Sequence, residues 1–136
     1  MKPAAIGIQH HYSIATGPEH TAEAFGNAGV PVVGTPALIG FLETAADRCL
    51  RPFYEQKEGS LGTLVEIVHL APAPRGATIE ARAELVAVDG RRHRFAVKAL
   101  HGDIPLMTGI HERVVVDLER FLARLAESPL AHSRKG

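Results

Sequence analysis

The stretch TPALIGFLETAADRCL, from Thr35 to Leu50, decides the fold of this chain. Its apolar residues recur at the spacing of an α-helix, about 100° per residue, and cover roughly half of the helical circumference. Pro36 suits the first helical position, where its missing N–H has no partner to lose, and the Thr35 hydroxyl can cap the first turn. A helix with so broad an apolar arc has to be enclosed by other structure. The stretch therefore predicts one helix over Thr35 to Leu50, largely buried.

Two side chains of this helix have chemistry of their own. Glu43 lies at the border between the apolar arc and the polar stripe, where the ionisation of a carboxylate depends on its surroundings. The helix pattern alone leaves two interpretations open, a carboxylate turned outward into water or one that faces a buried surface. Cys49 falls on the apolar arc, and we interpret it as a packed small side chain and not as a nucleophile.

The rest of the chain has the alternating pattern of β-strands. We expect strands over His10 to Ala15, Ser60 to Leu70, Thr78 to Val88, Arg91 to Leu100 and Leu106 to Val116. Asp89-Gly90 is a strong signal for a tight hairpin. Asp117 to Glu127 predicts a short amphipathic helix, and the tail from about residue 128 is expected to be frayed.

This order of elements indicates a fold. A strand and a buried helix are followed by an antiparallel meander of four strands and a terminal helix, and a sheet can bury one face by curling around a helix. The prediction is an α+β chain with the hot-dog architecture, an antiparallel sheet wrapped around a central helix, in a single domain over residues 1–136. A sheet of this kind leaves an unpaired edge, so we expect a homodimer or a dimer of dimers.

Composition excludes several classes of function. Formal net charge is zero, which gives no sign of a nucleic-acid or anionic-membrane partner. No apolar run approaches the ~20 residues that span a bilayer, and MKPAAIGIQHH has no signal-peptide core. A single cysteine fits a reducing cytoplasm, where we expect the protein to be. His10 and His11 would point to opposite faces of a strand, and no other histidine has ligand spacing, so no metal is expected.

Three polar side chains are expected to meet in this fold. Thr35 begins the helix, Glu43 follows two turns later, and His69 ends the first long strand on the face of Val65 and Ile67. Each has an ordinary structural interpretation: a helix cap, a solvated carboxylate and a hydrogen-bonded core histidine. Their combination favours chemistry, because hydroxyl, carboxylate and imidazole at the rim of one cavity are a common catalytic set.

Four segments carry a resemblance to a known family. The run GSLGT, the stretch APAPRGATIEARAEL, the turn VDGRRHRF and the strand TGIHERVVV closely resemble the fluoroacetyl-CoA thioesterase family, a branch of the hot-dog thioesterases. The resemblance extends from about Thr35 to Ala123. It implies that Thr35, Glu43 and His69 match the catalytic threonine, glutamate and histidine. It further implies that Gly62 matches a glycine near the thioester carbonyl and that Arg113 matches an arginine close to the site.

One segment departs from the family. Members have phenylalanines shortly before the threonine, whereas this chain reads AGVPVVGT there and has its nearest aromatic residue, Phe25, further upstream. We therefore expect activity on short or medium acyl-CoAs with little preference for a fluorinated acetyl group.

The chemistry of thioester hydrolysis fits these residue types. Glu43 can attack the carbonyl or orient a water, His69 can move protons, and Thr35 can position Glu43 or the water. The backbone N–H of Gly62 can stabilise an oxyanion. Coenzyme A enters as part of the substrate, and no separate cofactor is expected. Its phosphates require cations, for which the candidates are Arg91 and Arg92 with Arg94 and Arg75, each of which is equally explained as part of a solvated turn.

Two other functions compete with acyl-CoA hydrolysis on this fold. A hydratase or dehydratase would need a histidine on or before the central helix, and Thr35 to Leu50 contains none. A hot-dog module that binds an acyl-CoA without turning it over would need no catalytic group at all.

Overall fold

The computed structural model describes residues 1–128, so all but the first residue of the predicted frayed tail lies outside the described residues. The strands are β1 (Gln9–Ala15), β2 (Glu58–His69), β3 (Thr78–Asp89), β4 (Arg92–His101) and β5 (Ile104–Asp117). The helices are α1 (Thr35–Leu50) and α2 (Leu118–Glu127), and short 3₁₀ turns occupy Pro18–His20, Ala22–Phe25 and Arg51–Phe53. No helix within the described residues is long and apolar enough to cross a membrane.

Helix α1 has the predicted bounds, and its apolar arc is buried. The buried residues are Ala37, Leu38, Leu42, Ala45, Ala46, Cys49 and Leu50. The prediction that Thr35 caps the helix is wrong, because the N-cap is Gly34 and Thr35 is already helical. A Cβ at Gly34 would lie 3.1 Å from the Phe25 ring and 3.2 Å from the Ala22 backbone. The close approach of the preceding loop thus favours glycine at the cap and leaves the Thr35 hydroxyl free for another contact.

The five strands form one antiparallel sheet in the order β1-β3-β4-β5-β2. Its concave face packs on α1, and the fully buried side chains of that core include Leu38, Leu50, Ile79, Leu85 and Phe95. An antiparallel sheet around one long helix is the hot-dog architecture, so the predicted fold class is confirmed.

The predicted meander of four strands is wrong for β2. Only β3, β4 and β5 follow one another, whereas β2 pairs with β5 and β1 pairs with β3. The connection after β2 contains Pro72 and Pro74, which cannot donate ladder hydrogen bonds, and it carries the chain across to the other side of the sheet. The two edges are therefore β1 and β2, and β3 and β4 lie inside the sheet.

The β3–β4 connection is the predicted tight hairpin. Asp89 pairs with Arg92, so the two loop residues are Gly90 and Arg91, one position later than predicted. Gly90 has φ of 60°, and no positive φ occurs at Arg91, as in a type II′ turn. The hairpin brings several arginines to the outer face of the sheet, described below.

Candidate active site

The first cluster of candidate residues joins the start of α1 to the end of β2. Thr35 Oγ1 lies 2.7 Å from Nδ1 of His69, and these are the first residue of the helix and the last residue of the strand. His69 is exposed in the single chain, whereas its place on the face of Val65 and Ile67 favoured an apolar surface away from solvent. The reason is its place at the tip of an edge strand, where no further strand covers it. The pair is a hydroxyl and an imidazole in hydrogen-bond contact and open to an incoming molecule.

The second cluster lies against the first half of β2, around Gly62. Glu43 turns toward the sheet, where its Oε2 is 3.6 Å from Nη1 of Arg113. Gly62 is the ladder partner of Arg113, and a Cβ on Gly62 would come within 2.8 Å of Glu43 Oε2. Only glycine lets the carboxylate lie this close to the strand. With its side chain 41% exposed, Glu43 combines the two interpretations: it faces the sheet and still reaches solvent.

A small cavity adjoins this carboxylate. It is lined by Glu43 and His111 together with Ile39, Leu42, Val65, Ile67 and Val97. Its volume of about 10 Å³ is the space of about one water molecule. The cavity can therefore take a single water or a very small apolar group next to the carboxylate.

Arg113 is held by more partners than Glu43. Its Nε donates to Ser60 Oγ at 2.7 Å and its Nη2 donates to the Ser60 carbonyl at 2.9 Å. Nη1 lies 3.1 Å from Nε2 of His111. The Ser60 hydroxyl continues the network, because it lies 2.6 Å from the Tyr54 hydroxyl, which donates to Asp47 at 2.7 Å. The guanidinium is fixed on the sheet side before any substrate arrives.

The sequence analysis missed His111 and Ser60. His111 is 1% exposed, and its Nδ1 lies 2.8 Å from the carbonyl oxygen of Leu64. Burial lowers the pKa of His111 and the positive charge of Arg113 lowers it further, while the bond to the Leu64 carbonyl acts in the opposite direction. The available signal was the spacing of His111 and Arg113, two residues apart in a strand and hence on one face.

Among the described residues, no hydrogen bond or ion pair joins the two clusters within one chain. Eight residues of α-helix separate Thr35 from Glu43, a rise of roughly 12 Å. Seven residues of β2 separate Gly62 from His69, roughly 23 Å of extended strand. The structure thus brings together Thr35 with His69, and Glu43 with Gly62 and Arg113, as two separate groups.

The arginines of the hairpin lie elsewhere. Arg91 contacts Glu58 at 3.3 Å and the Val115 carbonyl at 3.2 Å. Arg92 contacts Glu112 at 3.4 Å, and Arg94 donates to the same carboxylate at 2.7 Å. The side chains of all three arginines remain half exposed. Arg92 and Arg94 lie with Glu112, which alternates with Arg113 along β5 and so belongs to the opposite face. A phosphate at Arg91 or Arg92 would have to compete with these carboxylates.

Cys49 has the surroundings expected of a packed side chain. It is buried on α1 and its thiol donates weakly to the Ala83 carbonyl at 3.5 Å. Burial raises its pKa to about 11, so the thiol stays protonated near neutral pH and is a poor nucleophile.

Comparisons with known proteins agree with this fold. Residues 17–119 match the sequence pattern of the fluoroacetyl-CoA-specific thioesterase family FlK. The fluoroacetyl-CoA thioesterase of Streptantibioticus cattleyicolor is 40% identical over 96 residues, which are 71% of this chain and 69% of that protein.

Solved structures of the fluoroacetyl-CoA thioesterase FlK superpose on most of the chain. One of the fluoroacetyl-CoA thioesterase FlK is 31% identical, covers 93% of this chain and 98% of that chain, and has a TM-score of 0.86. A phenylalanine-to-alanine variant of FlK in complex with fluoroacetate and CoA is 34% identical over 86% of this chain and 98% of that chain, with a TM-score of 0.80.

The curled sheet, its central helix and these similarities define a thioester hydrolase of the hot-dog class. Since the matched pattern covers well over half of the residues, the chain belongs to the fluoroacetyl-CoA-specific thioesterase family. The matched region contains both clusters, from Thr35 to Arg113.

Proposed function

We propose that the protein hydrolyses short or medium acyl-CoA thioesters to the free acid and coenzyme A, with little preference for a fluorinated acetyl group. The observation that carries the proposal is the pair of clusters on β2. One presents a hydroxyl bonded to an imidazole, and the other presents a carboxylate pressed against a glycine and a fixed arginine.

Glu43, His69 and Thr35 are the proposed catalytic residues. In one route a Glu43 oxygen attacks the thioester carbonyl carbon, the C–S bond breaks, and water then hydrolyses the mixed anhydride and restores the carboxylate. In the other, Glu43 takes a proton from a water that attacks the same carbon. In both routes His69 protonates the departing sulfur, and the Thr35 hydroxyl, 2.7 Å from its ring, orients that imidazole.

Gly62 and Arg113 are the proposed substrate-positioning groups near the carbonyl. Gly62 has no side chain to block the approach of a carbonyl oxygen to its backbone N–H, and the β2–β5 register shifts between Gly62 and Leu64. Arg113 supplies a positive charge beside the carboxylate that must stay ionised. Arg91 and Arg92 remain candidates for binding the CoA phosphates. A bound phosphate would replace Glu58 as the partner of Arg91, or Glu112 as the partner of Arg92.

The apolar side chains beside Glu43 support an acyl substrate. Ile39, Leu42, Val65 and Ile67 line the small cavity next to the carboxylate. The covering segment before Thr35 carries Val30, Val32 and Val33 and no aromatic ring. Phe25 is half exposed and packs against Gly34, so it is the one aromatic side chain that reaches the start of α1 from this loop.

We further propose that the active enzyme is a homodimer joined through β2. This strand is an edge of the sheet, and exposed apolar residues lie along and just beyond it: Leu61, Val65, Val68 and Leu70. Antiparallel pairing of two copies centred on Val65 and Glu66 would place His69 of one strand opposite Gly62 of the other. Each complete site would then combine Thr35 and His69 of one subunit with Glu43 and Gly62 of its partner.

Release of thiol from a panel of acyl-CoAs tests the activity. We expect turnover of acetyl-, propionyl- and butyryl-CoA, with kcat/KM for fluoroacetyl-CoA within about tenfold of that for acetyl-CoA. Binding of these compounds without release of thiol would instead support a non-catalytic acyl-CoA-binding module. If fluoroacetyl-CoA is strongly preferred, Phe25→Ala tests whether the ring beside Gly34 supplies the discrimination.

Light scattering tests the assembly. We expect the mass of a dimer, or of a dimer of dimers, at micromolar concentration. Val68→Asp, which puts a charge on the exposed side of the edge strand, should shift the mass toward the monomer and abolish turnover while the helical and sheet signals of circular dichroism persist. A fully active monomer would contradict the proposed assembly.

A further inference from the structure

We propose that His111 is a positioning residue of this enzyme: as a neutral imidazole protonated on Nδ1, it accepts a hydrogen bond from Arg113 and holds the guanidinium beside Glu43. The inference rests on the proposed function of Glu43 and adds a residue that does not itself touch the substrate.

The partners of the ring determine its tautomer. The Leu64 carbonyl oxygen, 2.8 Å from Nδ1, can only accept, so Nδ1 carries the proton. The guanidinium of Arg113, 3.1 Å from Nε2, can only donate, so Nε2 carries the lone pair. A protonated ring would present a second donor and a positive charge to the arginine. The charged groups that face the ring are Arg113 on β5 and Glu43 on α1.

Burial favours the same state. The ring is 1% exposed, and its pKa is lowered chiefly by that burial and further by Arg113. The lowered pKa and the two hydrogen-bond partners thus favour the same neutral ring, whose Nε2 accepts from the arginine.

A second carboxylate, that of Asp47, is connected to Arg113 through the Ser60 hydroxyl. Asp47 lies one helical turn beyond Glu43 on α1, and the Ser60 hydroxyl that accepts from Arg113 Nε also lies 3.3 Å from the Asp47 carboxylate. A guanidinium freed from His111 could turn toward Asp47 and away from Glu43. Arg113 Nη1 lies close to both His111 Nε2 and Glu43 Oε2. By accepting a hydrogen bond from Nη1, the imidazole therefore holds this part of the guanidinium beside the Glu43 carboxylate.

Two substitutions separate positioning from simple packing. His111→Phe fills the space but removes both polar atoms, whereas His111→Gln keeps an acceptor that can reach Arg113. His10→Phe is the matched control, because His10 lies on β1 at the far edge of the sheet, and its buried Nε2 has no partner among the described residues.

The expected result is a split between these variants. His111→Phe should lower kcat on acetyl-CoA by about tenfold to hundredfold, the scale of a misplaced catalytic group, with KM changed less than about threefold. His111→Gln should recover most of that loss, and His10→Phe should keep the kcat of the unmodified enzyme. Equal losses in His111→Phe and His111→Gln, or losses that only follow the fraction of folded protein, would overturn the inference.

A second readout does not depend on turnover. Long-range ¹H–¹⁵N correlation spectra of the full chain report which ring nitrogen of His111 carries the proton. We expect the Nδ1–H tautomer, and we expect Arg113→Lys to change the Nε2 resonance. A ring protonated on Nε2 would refute the placement whatever the kinetics show. If no acyl-CoA is hydrolysed by the unmodified enzyme, the proposed function fails, and the spectra still test the His111–Arg113 contact.

Discussion

The two clusters on β2 differ in how they are held. Thr35 and His69 meet through one hydrogen bond at the exposed tips of a helix and a strand. Glu43 lies beside an arginine whose fork is satisfied by Ser60 and His111 behind it. The first cluster can be altered with little consequence for folding, whereas the second is part of the packed interior. Substitutions in the Thr35–His69 cluster should therefore lower activity without lowering stability, whereas substitutions in the Glu43–Arg113 cluster should lower both.

The largest effect is expected at the two proposed catalytic side chains. Glu43→Gln and His69→Ala should each lower kcat by roughly a hundredfold or more, the scale of a positioned acid or base. Steady-state thiol release measures the loss, and thermal melts of the same preparations serve as the control. The double variant should lose much less than the product of the single losses, because both groups act in one mechanism. Near-normal kcat in folded Glu43→Gln would remove the carboxylate from the reaction.

Arg113→Met should affect both activity and stability. It removes the charge beside Glu43 and leaves the Ser60 carbonyl and His111 Nε2 without their donor, at a cost of about 1–3 kcal/mol for a buried unsatisfied group. Chemical denaturation should show that loss in the unfolding midpoint, alongside a fall in kcat. An unchanged midpoint would mean that the network contributes nothing to folding.

Thr35→Val and Thr35→Ser test the exposed cluster. Valine keeps the shape of the side chain but removes the hydroxyl bonded to His69, so kcat should fall about tenfold, while serine should keep most of the activity. The melting temperature should stay within about two degrees in both, since the hydroxyl does not cap the helix. A large drop in the melting temperature of Thr35→Val would show that the threonine is structural.

The smallest effect concerns pH and stability. His93 and His111 are 2% and 1% exposed, and burial lowers the pKa of each below the ordinary 6.5. The unfolded chain then binds more protons than the folded chain below that value, so stability is complete above pH 6.5 and falls as the pH drops toward 5. Melting temperatures at pH 7.5 and 5.5 measure the slope. His111→Gln should flatten it, and an identical slope in that variant would assign the effect to other groups.

The sequence was most informative where local pattern and burial agree. The apolar arc from Thr35 to Leu50 predicts both ends of the helix correctly, and the glycine after Asp89 predicts a tight turn. Both features depend on interactions between residues that are close in the sequence. The pairing of β2 could not be read in this way, since it depends on where a proline-containing connection leads the chain. Residue type and resemblance identified Thr35, Glu43 and His69 as candidates.

The sequence did not predict that the site residues form two separate clusters, for a related reason. The spacings along α1 and β2 can be read from the sequence, but which residue of β2 lies against Thr35 and which lies against Glu43 depends on how the helix packs on the sheet. His111 escaped notice because its neighbours in the strand, Ile110 and Glu112, do not show that its ring is buried. Its role depends on a cross-strand carbonyl at Leu64 and on the neighbouring guanidinium.

In the proposed dimer, a complete site joins the Thr35–His69 cluster of one subunit to the Glu43 cluster of its partner. Mixing inactive Glu43→Gln protein with inactive His69→Ala protein, followed by subunit exchange, tests it directly. In a mixed dimer one site would then contain both substitutions and the other neither, so thiol release should recover to about a quarter of the unmodified activity at equal mixing, since half of the dimers are mixed and each has one intact site. No recovery, despite subunit exchange shown by mass spectrometry, would contradict the claim and place all three residues in a site within one chain.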